Sequence, residues 1–112
     1  MRRGELWWGS LPDPVGLEPG FRRPLLIVQS NDFNQSAIRT IICAVISSNL
    51  RLAGAPCNLR LRARASGLSR DSVVNVSQLI TVDKQLLTAR IGKLTPELLR
   101  DVDMGIRLVL AL

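Results

Sequence analysis

The stretch Thr40–Ser47, which reads TIICAVIS, decides the fold of this chain. It contains an unbroken apolar run from Ile41 to Ile46, and a strand that is apolar at every position has both of its faces covered. The run PLLIV, which starts at Pro24, has the same character and predicts a second buried strand over residues 23–30. Pro24 would open that strand, where a missing N–H donor is tolerated. Two buried central strands are therefore expected.

Shorter elements flank this pair. Residues 5–10 (ELWWGS) predict a first, aromatic-rich strand, and residues 58–65 (NLRLRARA) alternate apolar residues with arginine, as in a half-buried strand. The remaining predictions are loops at 11–22 and 31–36, a connection at 48–56, strands at 73–76, 79–82 and 91–94, and one helical turn at 83–88.

The chain ends in a predicted helix. Thr95 is a suitable N-cap, Pro96 fits the first helical position, and Glu97 suits the positive end of the helix dipole. Behind them an apolar stripe follows helical spacing, formed by Leu98, Leu99, Val102, Ile106, Val109 and Leu110. We therefore predict one domain over residues 1–112, of mixed but mainly β class: a small barrel or curled sheet with a C-terminal helix packed on it.

The composition restricts the chemistry. Formal net charge is +6, and the 15 basic residues are almost all arginine, whose planar guanidinium suits phosphate. Histidine is absent, which excludes histidine-based metal sites, histidine general bases, and Ser–His or Cys–His dyads. No cofactor or metal is expected. Any active site must use arginine, acidic, lysine or hydroxyl side chains.

The two cysteines and the short apolar runs are typical of a soluble protein with a packed core. Cys43 lies in the apolar run and is expected in the core, whereas Cys57 follows Pro56 and is expected to open a strand. A disulfide between them stays open. The apolar runs are far shorter than the roughly 20 residues of a membrane span, so a cytoplasmic protein is expected.

Two surface features allow two interpretations each. Arg60, Arg62 and Arg64 form either a solvated, charge-protected strand face or a phosphate-binding strip. Trp7 and Trp8 point to opposite faces of one strand, so one belongs to the core. The other either stacks on a base or lies at a dimer contact.

Several segments, in this order, resemble the MazF/PemK family of toxin–antitoxin endoribonucleases. The first are RGELW at 3–7 and GLEPGFRRP at 16–24. The resemblance continues through LLIVQSNDFN at 25–34, AVISSNLRLA at 44–53, DSVVNVSQLITVDKQLL at 71–87 and IGKL at 91–94, and it ends in the terminal helix. Each segment is weak alone, but their order and spacing are specific and cover nearly the whole chain.

The resemblance implies a small SH3-like barrel with helices that forms a homodimer. Family members cut single-stranded RNA at short motifs without a metal and leave 2′,3′-cyclic phosphate and 5′-hydroxyl ends, which inhibits translation and growth. A cognate, MazE-like antitoxin inhibits them by threading over the RNA groove. These properties are expected here.

The resemblance also places the site. The family's catalytic arginine falls on Arg23, its catalytic threonine on Ser47 and its loop glutamate on Glu18. Further residues expected to contact RNA are Leu17, Arg22, Asn49, Arg51 and Trp8. From residue chemistry alone, a guanidinium stabilises phosphorane charge and a hydroxyl binds a phosphate oxygen, while Glu18 has a better pKa for a base than arginine.

Two positions depart from the family pattern. Ser47 replaces the usual threonine and loses the methyl group that restricts the rotamer, and Leu17 replaces a usual serine. Two rival functions therefore stay open: a CcdB-like inhibitor of DNA gyrase on the same fold, and an RNA-binding protein weakened in catalysis.

Overall fold

A computed structural model describes residues 1–12, 16 and 21–112. The described residues form six strands, three α-helices and two 3₁₀ turns, the latter at Leu50–Gly54 and Lys84–Leu86. The strands are β1 Glu5–Leu11, β2 Phe21–Ile27, β3 Thr40–Ser47, β4 Leu59–Leu61, β5 Ser72–Asp83 and β6 Leu87–Lys93. The helices are α1 Asn31–Asn34, α2 Ala63–Ser66 and α3 Pro96–Leu110.

The strands build one curled antiparallel sheet in the order β4-β5-β3-β2-β1-β6. As predicted from TIICAVIS, β3 lies in the middle, between β5 and β2. Successive residues of β2 and β3 enter two different apolar clusters. One cluster contains Leu26 and Ala44 and packs against α3; the other contains Leu25 and Cys43. Burial on both faces explains why neither segment alternates.

Helix α3 begins as predicted. The Thr95 Oγ1 accepts a hydrogen bond from the Leu98 N–H at 3.3 Å, and Pro96 follows at the first position. Val102 is fully buried in the cluster beneath the helix. The helix can approach the rest of the molecule closely at Gly105, where an added Cβ would lie 2.7 Å from the carbonyl oxygen of Cys57. No helix in the described part of the chain has both the length and the apolar character needed to cross a membrane.

The predicted strand over residues 58–65 is wrong beyond its first half. Strand β4 ends at Leu61, and helix α2 follows directly. The reason is a hydrogen bond at the start of the helix. The carboxylate of Asp71 accepts the Ala63 N–H at 3.0 Å and so satisfies a donor of the first helical turn. Alternation alone cannot report this bond because its acceptor lies eight residues downstream.

The two short strands predicted at 73–76 and 79–82 are one continuous strand, β5. Ala44 pairs with Leu79, but the next residue of β3, Val45, pairs with Asn75. The intervening residues of β5 form a bulge that bends the strand without ending it. The sequence NVSQ at residues 75–78 contains this bulge, in which the Asn75 side chain forms hydrogen bonds with the side chains of Ser77 and Gln78.

Two single-residue predictions also fail. Pro24 is the fourth residue of β2, not the first. The missing donor is tolerated because β2 pairs with β3 only from Leu25 onward, so Pro24 has a partner strand on one side only. Cys57 does not open a strand: it occupies a left-handed turn at φ 68° before β4. Both cysteines are free thiols.

Other boundaries shift modestly. The predicted 31–36 loop contains α1, which Ser30 caps by accepting the Asp32 N–H at 3.2 Å. The predicted last strand at 91–94 begins earlier, at Leu87, as β6. The predicted helical turn at 83–88 is the short 3₁₀ turn Lys84–Leu86, capped by Asp83.

The approach at Gly105 gives a stability prediction. Gly105→Ala is expected to lower the free energy of unfolding by about 1–3 kcal/mol, because the backbone oxygen of Cys57 cannot yield as a flexible side chain would. Gly54→Ala is the matched control, since its Cβ would meet nothing within 4 Å. Urea denaturation of both variants measures the difference. Equal stability of Gly105→Ala and the wild type would contradict the close packing of α3.

Candidate functional site

The register of β2 and β3 places two predicted catalytic residues opposite each other. Leu25 pairs with Val45, and the same register continued by two residues sets Arg23 opposite Ser47. Pairing between β2 and β3 stops at Leu25, so the two strands diverge just where these side chains occur. Residues directly opposite in an antiparallel pair share a face of the sheet. Arg23 and Ser47 therefore lie on the same side of an opening between strands.

A pocket of about 310 Å³ occupies this opening. Strand β1 contributes Trp8, β2 contributes Arg22, Arg23 and Pro24, and the end of β3 contributes Ile46, Ser47 and Ser48. The segment between α2 and β5 closes another side with Leu68, Ser69, Arg70 and Ser72. The described lining thus carries three arginines and four serines but no carboxylate, which suits an anionic ligand.

Packing and hydrogen bonds at the end of α2 fix the position of residues 68–72. Gly67 ends α2 in a left-handed conformation at φ 85°, and a Cβ there would lie 2.8 Å from the Ile91 carbonyl oxygen. The Ser66 hydroxyl donates to the Ala63 carbonyl and accepts from the Leu68 N–H, both at 3.1 Å. This close packing and bonding fix the loop that carries Ser69 and Arg70.

Trp8 holds Arg22. The guanidinium carbon of Arg22 lies 3.9 Å from the centroid of the Trp8 ring, a cation–π contact. Of the two tryptophans it is Trp8 that lines the pocket, whereas Trp7 packs against the cluster of Leu25 and donates its indole N–H to Glu5 at 3.0 Å. Arg22 covers one face of the Trp8 ring and is itself oriented by that contact.

The Ser47 hydroxyl keeps a proton to donate. Its Oγ accepts a hydrogen bond from the Asn49 N–H at 3.1 Å. This bond fixes the oxygen at the end of β3 and leaves the O–H free for another acceptor. Ser47 is half-buried and so is Arg23, which places both between the core and the open pocket.

The structure brings together four of the predicted site residues: Arg23, Ser47, Arg22 and Trp8. Asn49 and Arg51 follow Ser47 closely in sequence but do not line the pocket. Asn49 instead caps the 3₁₀ turn, where its Oδ1 accepts the Arg51 N–H at 3.2 Å. Leu17 and Glu18 lie outside the described residues.

Sequence reasoning missed the third side of the pocket, which is formed by Leu68, Ser69, Arg70 and Ser72. These four residues come from a segment more than 40 residues away from Arg23 in the chain. The one available signal was the run from Leu50 to Arg70, with five arginines and no acid. Only the pairing of β5 with β3 shows that the C-terminal end of this run lies at the pocket.

The titrating groups nearby give little scope for other chemistry. Burial raises the pKa of the Cys43 thiol to about 12, so it does not form a thiolate at neutral pH. Hydrogen bonds from the Ala63 N–H and the Arg60 side chain lower the pKa of Asp71. The described residues hold no group of three or more His, Cys, Asp or Glu side chains arranged to bind a metal ion.

Comparisons with known proteins identify related endoribonucleases. The chain is 46% identical to endoribonuclease MazF2 of Mycobacterium bovis over all 112 residues, which is 98% of that protein. Among solved structures, MazF from Deinococcus radiodurans superposes with a TM-score of 0.83 at 19% identity and covers 100% of this chain and 97% of its own. A mycobacterial endoribonuclease in complex with its cognate antitoxin gives 0.79 at 20% identity, over 100% and 96%.

The structural neighbours confirm the predicted fold class, a curled, mainly β sheet with a C-terminal helix. A family model described as the PemK-like, MazF-like toxin of type II toxin–antitoxin systems matches residues 2–110. The match covers almost the whole chain and includes both diverging strands and the loop that carries Arg70. The chain therefore belongs to the PemK-like, MazF-like family of type II toxins.

Proposed function

We propose that this chain is a metal-independent endoribonuclease that cuts single-stranded RNA at a specific sequence and so inhibits translation and growth. The observation that carries the proposal is the placement of Arg23 opposite Ser47, in a pocket with three arginines. The relatives' names as endoribonucleases support the same class of reaction. A localisation in the cytoplasm, where mRNA is translated, belongs to the proposal.

The proposed reaction is an internal transesterification. The 2′-oxygen attacks the adjacent phosphorus, the bond from phosphorus to the 5′-oxygen breaks, and a 2′,3′-cyclic phosphate forms. The attacking hydroxyl loses a proton and the leaving 5′-oxygen gains one. The extra negative charge on the phosphorane is what the site must stabilise, and the sequence contains no histidine to move the protons.

Arg23 stabilises this charge by donating two aligned N–H groups to the non-bridging oxygens. A guanidinium is a poor proton acceptor, which leaves donation to the 5′-oxygen as the only proton role of Arg23. Ser47 donates its free O–H to the same phosphate. Arg22, held by Trp8, and Arg70 on the facing wall add positive charge for the neighbouring phosphates.

Glu18 is proposed as the general base that takes the 2′-hydroxyl proton. A carboxylate is a better proton acceptor than a guanidinium, which suits it to the role of general base. The described pocket lining supplies no carboxylate. Leu17, Asn49 and Arg51 are proposed to contact RNA outside the pocket, where they would influence which sequence is cut.

Two partners belong to the proposal. The antitoxin is proposed to cover the pocket, by analogy with the mycobacterial and Deinococcus radiodurans complexes. A second copy of the chain is proposed to cover the outer side of α3, where Met104 is 62% and Leu108 70% exposed. Both side chains border a shallow depression that also contains Cys57 and Leu59.

Replacing Arg23 tests the site. Arg23→Ala is expected to lower kcat/KM for RNA cleavage by roughly 10²- to 10³-fold, because charge stabilisation in the transition state is lost. Arg39→Ala is the matched control, since Arg39 is exposed at the opposite end of β3. Thermal melting confirms that both variants fold. Full activity in folded Arg23→Ala protein would remove Arg23 from the mechanism.

Replacing Ser47 separates the hydroxyl from the methyl group. Ser47→Ala is expected to reduce kcat roughly 10- to 100-fold because one donor to the phosphate is lost. Ser47→Thr keeps the hydroxyl and restricts its rotamer, so its kcat should equal or exceed that of the wild type. Single-turnover cleavage of one RNA measures both. If Ser47→Ala cleaves at the wild-type rate, the hydroxyl has no catalytic part.

The oligomeric state tests the proposed dimer face. Met104→Lys with Leu108→Lys is expected to convert a dimer into a monomer, because two charges would be buried at the interface. Phe33→Lys is the control, an exposed aromatic residue on α1. Light scattering coupled to size exclusion gives the mass. A double variant that stays dimeric would show that another face is used.

A further inference from the structure

We propose that Arg60, Arg62 and Arg64 form a second phosphate-binding surface, which holds the RNA backbone where it leaves the catalytic pocket. We call these three residues the arginine strip. The inference deepens the proposed function and rests on it, because it assigns a path to the same RNA beyond the site of cleavage. It chooses between the two interpretations that the sequence left open for these residues.

The sheet register puts the arginine strip beside the pocket. Ser47 of β3 pairs with Val73 of β5, and Val73 pairs with Arg60 of β4. These three residues form one row across neighbouring strands and share a face of the sheet. Two strand spacings separate Ser47 from Arg60, which is about 10 Å between backbones. A polynucleotide held at Ser47 therefore passes close to Arg60.

A single short segment separates the pocket from the arginine strip. Arg70 and Ser72 line the pocket, whereas Asp71 between them lines an open depression of about 850 Å³. That depression is otherwise lined by Arg60, Arg62, Ala63 and Arg64. Arg70 on the pocket side and the arginine strip on the other side place positive charge on both sides of this segment.

The charges of the arginine strip are available to a ligand. All three arginines are exposed, and the described part of the chain gives neither Arg62 nor Arg64 a salt bridge. Arg60 pairs with Asp71 at 3.1 Å, an exposed pair of the kind that exchanges partners at little cost. Asp71 also accepts the Ala63 N–H, so the carboxylate itself has a structural role as the cap of α2.

The structure also argues against the alternative of a charge-protected strand face. Strand β4 is only three residues long, and Arg62 and Arg64 lie beyond its end, at the start of α2 and within it. Arg62 and Arg64 therefore do not belong to a strand edge, and their charges are not needed to keep such an edge from pairing. Three arginines that line one depression are instead suited to a chain of phosphates.

The test compares two labelled RNAs that share one cleavage motif. A short RNA spans only the pocket, and a longer one extends on both sides. Binding is measured by fluorescence anisotropy at several salt concentrations. Arg62→Gln with Arg64→Gln is expected to weaken binding of the long RNA roughly 5- to 20-fold and to lower the slope of log K against log salt by about 1.4, or about 0.7 per phosphate lost. Binding of the short RNA should not change.

The matched control is Arg2→Gln with Arg39→Gln. It removes the same charge from two exposed arginines at the far end of the sheet and should leave the affinity for both RNAs unchanged. A strip variant that binds the long RNA with wild-type affinity and salt slope overturns the inference. So does an equal loss in the control, because the effect would then come from net charge, or an equal loss on the short RNA.

Further outcomes keep this test separate from the proposed function. Cleavage of both RNAs by the wild type, with unchanged long-RNA binding in the strip variant, refutes the arginine strip alone. Failure of the wild type to cut either RNA refutes the proposed function, while a selective loss of long-RNA binding still supports the strip. Weakened binding of the antitoxin with unchanged RNA binding overturns the inference in favour of a protein-binding surface.

Discussion

The pairing of β2 with β3 is the constraint on which the site depends. Three residue pairs join these strands, all apolar and all fully buried, and the two core clusters lie on either side of them. Beyond Leu25 the strands separate, and the first side chains past the separation on the open face are Arg23 and Ser47. Burial of the apolar pairs thus fixes the Arg23 guanidinium and the Ser47 hydroxyl opposite each other in a polar opening. Contacts between two such polar groups alone would not hold them in place.

Much of this was readable from the residues. TIICAVIS and PLLIV predict two buried strands without alternation, and Thr95-Pro96 predicts the start of α3, because both signals are local. The resemblance added the positions of Arg23 and Ser47. The errors arose where a distant partner decides local structure: Asp71 starts a helix at Ala63, and the bulge opposite Ala44 and Val45 keeps β5 continuous. The third wall of the pocket likewise depends on register between strands.

Positive charge occurs on both sides of the segment between α2 and β5. Arginines from β2 and from the loop before β5 line the pocket, and the arginine strip of β4 and α2 lines the neighbouring depression. Guanidinium groups suit this task because they remain charged and bind phosphate in a bidentate manner. The mechanism proposed for this chain, which contains no histidine, relies on fixed positive charge and hydroxyls and assigns proton transfer to a carboxylate of the β1–β2 connection.

The measurement that tests the central claim most directly is the chemistry of the RNA ends. Purified protein is incubated with a long single-stranded RNA in excess chelator, and the fragment ends are mapped. We expect discrete cuts that produce fragments with 2′,3′-cyclic phosphate and 5′-hydroxyl ends. Intact RNA, or fragments with 5′-phosphate ends, would contradict it, and intact RNA would direct attention to inhibition of DNA gyrase by the same fold.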